Sequence, residues 1–374
     1  MTTACQRTWN QCQPTGLRGL AAVLVGALVV AWTSGPGGVA WGVEPASVQT
    51  AARDARPAAA PATAPRVAGA VEPVGSFEDL DPYSPHQEVQ GTIQVVGSTT
   101  MQHLVALWAE GFGQVHPKVE LKVDCRGSET VLPSLAKGQN VLGAMTRVAS
   151  AEEQKRIEQQ LGCSIVQVVV CHDAVGILVN KDNPIQGLSV LPEVPVLRSV
   201  SGKSVASTWG ELGLTGEWAK RPIHLLGPSA ESGIRAQLER LMLGPEAGQR
   251  EVGAHDSRAA LIEAVTKDKG AITAVSLSRG DLSDVRVLPV AGADHVLSPP
   301  TEQEIASRHY PLIRPLYLLL TVRDGKIEDP LLREFLSYVL SRSGQHDAVK
   351  DGFLSVSRSE VREQEHKLGW ARLQ

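Results

Sequence analysis

From residue 92 to residue 340, short apolar runs of strand character alternate with amphipathic stretches of helical length. Three of the joints between them are Gly/Ser/Thr turns: Gly97-Ser98-Thr99-Thr100, Gly127-Ser128-Glu129-Thr130 and Glu231-Ser232-Gly233. Strands separated by helices of about 10 to 15 residues fold into α/β units with mostly parallel sheets. The alternation predicts strands over 92–96, 119–123, 141–145, 165–170, 174–179, 223–226, 271–275, 285–290 and 316–322. Met101, Leu104, Val105, Trp108 and Phe112 fall at helical spacing, with Gly113 and Pro117 as stop signals. Further helices are expected over 151–161, 234–243, 257–266 and 330–340, the third with Asp256 as N-cap and Gly270 as its stop. Pro133 delays the helix after Ser128, because proline is tolerated only in a first turn.

A strand-to-helix turn is a ready anion site. The first turn of a helix leaves backbone N–H groups without intrahelical partners, the macrodipole adds partial positive charge, and Ser or Thr hydroxyls donate as well. Several such turns converging on one cleft would hold a small oxyanion without a metal or other cofactor. The net formal charge is −4, no long Lys/Arg run occurs, and the basic stripe of a nucleic-acid binder is missing. Capture of an anion must therefore come from local hydrogen-bond geometry, since the overall field is slightly repulsive.

The amino-terminal residues 1–40 read as an export signal. Arg7 and Arg18 precede an apolar run of about a dozen residues, too short for a span of roughly 20, and Gly38-Val39-Ala40 offers an A-x-A-like cleavage site. No Cys follows the run as a lipid attachment point. Residues 41–89 are read as a linker, because Ala, Pro, Arg and Thr dominate 50–70 and supply too little apolar bulk to pack. Of the five cysteines, Cys5 and Cys12 leave with the signal. Cys125, Cys163 and Cys171 remain, and an oxidising compartment suggests one disulfide and one free thiol among them. Pairing Cys163 with Cys171 requires a bend, since an extended run between them holds the two apart.

The motifs resemble the secreted phosphate-binding proteins of ABC importers, a branch of the two-lobed periplasmic solute-binding superfamily. The resemblance spans about residues 91–356. It rests on the order of Ile93-Gln94-Val95-Val96-Gly97-Ser98-Thr99-Thr100, Arg126-Gly127-Ser128-Glu129, Ala144-Met145-Thr146-Arg147, the run from Asp173 to Pro184, Ser232-Gly233-Ile234-Arg235, and Tyr310-Pro311-Leu312-Ile313-Arg314-Pro315-Leu316-Tyr317. The resemblance implies a type II two-lobed α/β fold, each lobe a mostly parallel sheet flanked by helices, joined by two hinge crossovers. Lobe 1 is expected over 90–171 plus 289–356 and lobe 2 over 172–288, with 357–374 as a charged tail. Inorganic phosphate or a related oxyanion would lie between the lobes of a monomer, held by Thr99, Thr100, Ser128, Thr146 and Arg147 from one side. Ser232, Gly233, Ile234 and Arg235 would hold it from the other. Closure on the anion would be followed by docking on a membrane ABC permease, in the periplasm or outside the cell.

The chain departs from the family pattern at one turn. Relatives commonly read Arg-x-x-x-Ser-Gly-Thr where this sequence has Pro228-Ser229-Ala230-Glu231-Ser232-Gly233-Ile234, so a guanidinium and a hydroxyl are lost. Arg235 stands near enough to replace part of the charge. Some relatives carry a carboxylate at the Arg147 position; Asp173 is the substitute available here, and also reads as a hydrogen-bonded structural Asp. Arg147 alternatively pairs with Glu152 or Glu153, and Arg314, between Pro311 and Pro315, reads as a structural or inter-lobe residue. Two other function classes stay open: a secreted scaffold or sensor with a degenerate ligand site, motivated by Pro228 and Ile234, and a secreted hydrolase. Against the hydrolase, Ser232 lacks the Gly-x-Ser-x-Gly elbow, no nucleotide loop occurs, and Cys171-His172-Asp173 would alternate faces on a strand.

Overall fold

The computed structural model describes residues 76–137, 140–191, 194–202, 204–229, 233–246, 248–323 and 325–370. The expected signal peptide, most of the expected linker, and Glu231 and Ser232 of the third turn lie outside the described residues.

The first third of the fold follows from the alternation. Strand β1 (Gly91–Gly97) pairs in parallel with β2 (Val119–Asp124) and with β3 (Val141–Met145). The crossovers that parallel pairing requires are α1 (Gln102–Val115) and α2 (Val131–Leu135). Helix α1 buries Leu104, Val105, Trp108 and Phe112, the residues whose spacing predicts it, and the Trp108 Nε1–H donates to the Gly344 carbonyl at 2.8 Å. A 3-10 turn, Ser128–Thr130, precedes α2, which places Pro133 in the first helical turn as expected. Helix α3 (Ala151–Leu161) is fixed at both ends, by a Ser150/Glu153 capping box and by Gly162 at φ 64°.

The strands expected over 165–170 and 174–179 are one strand, β4 (Ser164–Asn180). Cys171, His172 and Asp173 continue extended because partners supply rungs along most of the length, one set from each half of the molecule. Beyond it lie β5 (Leu188–Ser189), β6 (His224–Pro228), α4 (Gly233–Leu243), β7 (Gly253–His255), α5 (Arg258–Lys267) and β8 (Ala271–Ser276). The run expected over 285–290 is split into β9 (Val285–Val287) and β10 (Val290–Ala291), which bond to different partners, β4 and β5. Then follow β11 (Leu297–Ser298), α6 (Glu302–Ala306), β12 (Ile313–Val322), α7 (Pro330–Val339), α8 (Arg342–Lys350) and α9 (Arg358–Lys367). Ser257, not Asp256, caps α5: its backbone is extended and its side chain accepts from the Ala260 N–H at 3.1 Å.

The main sheet runs β2-β1-β3-β12-β4-β8-β6-β7, with β9 also on β4. Its flanks, β2-β1-β3 and β8-β6-β7, are parallel; the antiparallel pairings are those that β4 and β12 make in the middle. Two lobes result, each with its own core. Ile93, Trp108, Phe112, Leu318, Phe335 and Leu336 lie in one. Ile177, Trp209, Leu225, Met242, Ile272 and Leu288 lie in the other.

Three segments pack differently from the expected domain limits. Leu80 is buried in the first core and Tyr83 donates to Glu334 at 2.9 Å, so residues 76–89 are folded rather than linker. Val290 and Tyr310 belong to the second core, so the chain returns to the first lobe at β12 and not near Pro289. In the expected tail, α9 has a Ser357/Glu360 capping box and buries Val361 and Leu368 in the first core. The expected disulfide is not formed: Cys125, Cys163 and Cys171 are all free. The strand geometry of β4 explains this for Cys163 and Cys171, which stand at its edge and within its extended run.

Candidate functional site

Two of the three Gly/Ser/Thr turns abut. The Gly127 N–H donates to the Gly97 carbonyl at 2.7 Å, which sets the start of the Ser128–Thr130 turn against the end of β1. Gly97 has φ 141°, and a Cβ there would strike the Ala144 backbone of β3, so only glycine fits where the chain leaves the sheet. Ser98 caps the 3-10 turn Thr99–Met101 and is fully buried; its Oγ accepts from the Thr100 N–H at 3.3 Å. The Thr100 N–H, expected to grip an anion, is thus engaged at long range by its own cap. Ser128 is 1% exposed and its Oγ has no protein partner. A buried hydroxyl left unsatisfied costs about 1–3 kcal/mol, so a group of this kind needs a reason.

Thr99 and Thr100 line a cavity of about 1150 Å³. Opposite them stand Pro228 and Ser229 at the end of β6 and Gln237 on α4, while Arg314 of β12 and Ser276 of β8 form part of the wall near the sheet. Arg314 is anchored through Asp173, whose carboxylate Oδ2 accepts from Nε at 3.0 Å and Nη2 at 2.8 Å. The other oxygen, Oδ1, accepts from the Ser276 hydroxyl at 2.5 Å. Asp173 is wholly buried, and burial pushes its carboxyl up from the ordinary range against the opposing pull of Arg314 and Ser276. Nη1 of Arg314 donates to Gln237 Oε1 at 2.9 Å, and Gln237 Nε2 donates in turn to Thr146 Oγ1 at 3.3 Å. Thr146 is 4% exposed at the end of β3, so this chain of bonds joins the two lobes.

The expected site residues therefore divide. Thr99 and Thr100 face the cavity; Ser128 is buried beside their turn; Thr146 and Asp173 reach it through Gln237 and Arg314. Gly233 and Ile234 open α4, and Ser232 lies outside the described residues. Arg147 is turned to Glu153, with Nη1 at 2.7 Å from Oε2 and Nη2 at 2.8 Å from Oε1; this bidentate guanidinium holds the Glu153 carboxyl down at about 2. Arg235 is spent on Glu239 at 2.6 Å and on the carbonyls of Pro228 and Val252 at 2.8 and 3.1 Å, fastening α4 to its neighbours.

Arg314, Gln237, Ser276 and Arg258 complete the cavity wall without having been singled out as ligands in the sequence. Arg258, first residue of α5, donates to the Ser276 carbonyl at 3.1 Å; burial lowers its pKa while Asp173 nearby raises it. Gln237 sits one turn after Gly233, on the face that a helix start aimed at the cleft would present. The signal for Arg314 was the two flanking prolines, which mark an edge where a strand enters the sheet. Among the described residues, no group of three or more His, Cys, Asp or Glu side chains forms a metal site, and no helix is long and apolar enough to cross a membrane.

A family model described as a PBP superfamily domain matches residues 83–343. The phosphate-binding protein PstS of Pseudomonas aeruginosa is 32% identical over 300 residues, which cover 78% of this chain and 92% of the relative. Two solved structures share the fold. The ABC-type phosphate transport receptor from Vibrio cholerae has a TM-score of 0.53 at 21% identity, covering 71% of this chain and 100% of its own. A possible phosphate binding protein from Planctomyces limnophilus has a TM-score of 0.53 at 22% identity, covering 75% and 99%.

Proposed function

Because this chain belongs to the PBP superfamily, in the branch of the phosphate-binding protein PstS, we propose that it is an exported solute-binding protein that captures phosphate, or a similar tetrahedral oxyanion, between its two lobes and hands it to a membrane ABC importer. The observation that carries this reading is the partnerless Ser128 hydroxyl, buried where two helix-start turns meet beside a cavity whose wall holds Arg314. An anion oxygen at Ser128 relieves the unsatisfied donor, and the adjoining N–H groups and guanidinium supply charge-assisted bonds of about 1.5–3 kcal/mol each. Ligand binding across the cleft favours the closed state, because each lobe offers only part of the donor set.

Capture makes and breaks no covalent bond, so the protein works as a binding module and not as an enzyme. It acts as a periplasmic or secreted monomer, released by cleavage of the leader. The lobe division that serves this function puts residues 76–170 and β12 to α9 in one lobe and residues 174–312 in the other, with β4 and the entry to β12 as the hinge.

Calorimetric titration with inorganic phosphate tests the reading. A micromolar binder in millimolar phosphate also gains about 4 kcal/mol of stability by mass action. Joint replacement of Thr99, Ser128 and Ser232 by Ala is expected to abolish the heat while leaving the circular dichroism unchanged; retained affinity would put the site elsewhere. The scaffold reading is favoured by one observation, the commitment of Arg147 and Arg235 to Glu153 and Glu239. It requires no heat and no shift in Tm at any phosphate concentration.

A further inference from the structure

We propose that the Gln237 side chain is a built-in competitor of the anion: its amide holds donors that an incoming phosphate uses, and capture proceeds by exchange. The inference rests on the anion-capture reading and concerns the regulation of that same site.

Gln237 borders the cavity from α4 and is half-buried. Its Oε1 accepts from Arg314 Nη1 at 2.9 Å and lies 3.5 Å from Thr146 Oγ1. A guanidinium only donates, so the atom facing Arg314 is the amide oxygen, and Nε2 is left to donate to Thr146 Oγ1 at 3.3 Å. Nε and Nη2 of Arg314 are committed to Asp173, which leaves Nη1 as the nitrogen for another acceptor. One neutral amide thus engages both the guanidinium of the proposed site and a hydroxyl of the opposite lobe. Helix α4 also lies against the Ser128–Thr130 turn. Gln237 is therefore carried on the element that meets the turn of the unsatisfied Ser128 hydroxyl.

Charge decides the exchange. An anionic oxygen adds direct Coulomb attraction to the hydrogen bond from Arg314, and a neutral carboxamide oxygen does not. Thr146 Oγ1 accepts from Gln237 but must donate to an anion, so release of the amide also frees the hydroxyl to turn. The adjoining cavity gives the rotated side chain room. Such a competitor lowers apparent affinity by the fraction of molecules in which the amide has let go, and the factor is the same for every anion that uses the site. Its effect is a threshold: a weakly accepting solute does not displace Gln237, whereas a strongly accepting oxyanion does.

Isothermal titration with inorganic phosphate and with arsenate, on the unaltered protein and on Gln237→Met, tests this. Methionine keeps the length of the side chain and removes both polar atoms. The variant is expected to bind both anions about tenfold more tightly, by factors that agree within twofold, while its Tm in phosphate-free buffer is unchanged or lower. A residue that merely positions Arg314 gives the other sign, weaker binding together with a lower Tm. Equal or weaker binding in the folded variant, or a gain confined to one anion, overturns the proposal and leaves anion capture standing on the heat of the unaltered protein. Gln237→Ala takes the place of Gln237→Met if circular dichroism shows that the latter does not fold. Heat in the variant alone supports the proposal. No heat in either protein overturns it together with the anion-capture reading.

Discussion

Arg314 holds the wholly buried carboxylate of Asp173 through two nitrogens, at 3.0 and 2.8 Å, and turns the third toward Gln237 at 2.9 Å. A single guanidinium thus ties the crossover strands β4 and β12 to the helix that opens the second lobe. Arg314→Ala leaves Asp173 buried and unpaired, a change that costs about 3–5 kcal/mol. The expected outcome is a loss of that size in urea unfolding, together with loss of phosphate heat. The double variant Asp173→Asn/Arg314→Gln recovers most of the stability and none of the binding, which separates the two roles.

Ser128→Ala has the opposite sign on stability. The native hydroxyl is buried with no protein partner, so its removal is expected to leave the ligand-free protein equally stable or more stable by about 1 kcal/mol. Phosphate affinity falls about 10-fold to 100-fold, the loss of one charge-assisted bond. Denaturant midpoints measured with and without phosphate check both signs in one experiment.

Stability is expected to fall in two separate acid windows. His172 lies between Arg308, whose Nη2 donates to Nδ1 at 3.2 Å, and Glu360, 3.3 Å from Nε2; burial and Arg308 lower its pKa from 6.5 to about 4. The unfolded chain takes up this proton first, so the stability from neutral His172 is fully present above pH 6.5 and is lost as pH falls toward about 4. Glu153, held by Arg147, drops from 4.5 to about 2, so its contribution is present above pH 4.5 and is lost as pH falls toward about 2. Chemical unfolding across pH 2–8 is expected to show a shallower upper window in His172→Gln and a shallower lower window in Glu153→Gln.

Thiol chemistry gives a further check. Cys125, Cys163 and Cys171 are free, and burial raises the Cys125 thiol to about 11 and Cys171 well above its ordinary value. In the folded protein only the partly exposed Cys163 is expected to react readily with iodoacetamide; in urea all three react without a reductant. A mass shift for fewer than three groups in urea would reveal a bridge.

Much of the architecture was legible because periodicity and punctuation agreed. The spacing of Leu104, Trp108 and Phe112 fixed the buried face of α1, and Ser150 with Gly162 bounded α3. The break assumed between 170 and 174 failed because Cys171-His172-Asp173 breaks an apolar run in sequence without breaking it in space: His172 finds Arg308 and Glu360, and Asp173 finds Arg314 and Ser276. Polar residues in a strand read as a boundary until their partners, more than a hundred residues away, are known. The candidate site residues divide in the same way. Thr99 and Ser128 carry a local signature in the turn chemistry, whereas Gln237, Ser276 and Arg314 become wall residues only through tertiary packing. Arg147 and Arg235 are bonded to carboxylates because a cation near an expected anion site has carboxylates to choose from: Glu153, the partner the sequence offers as an alternative, lies six residues along the chain from Arg147, and Glu239 lies one helical turn from Arg235.

β4 belongs to both lobes at once, with one end bonded to β12 and the other to β8 and β9. A shared strand cannot telescope: sliding one lobe past the other would shear every rung along it, whereas a small twist of successive peptide planes near Asp173 costs little. The molecule is thereby restricted to nodding and swivelling about that strand, and the register shift opposite Leu316 and Tyr317, where β4 spends one extra residue, Val170, gives the strand pair slack to follow. Whatever enters the cleft, the paths by which the walls can meet around it are set by one peptide ribbon common to both.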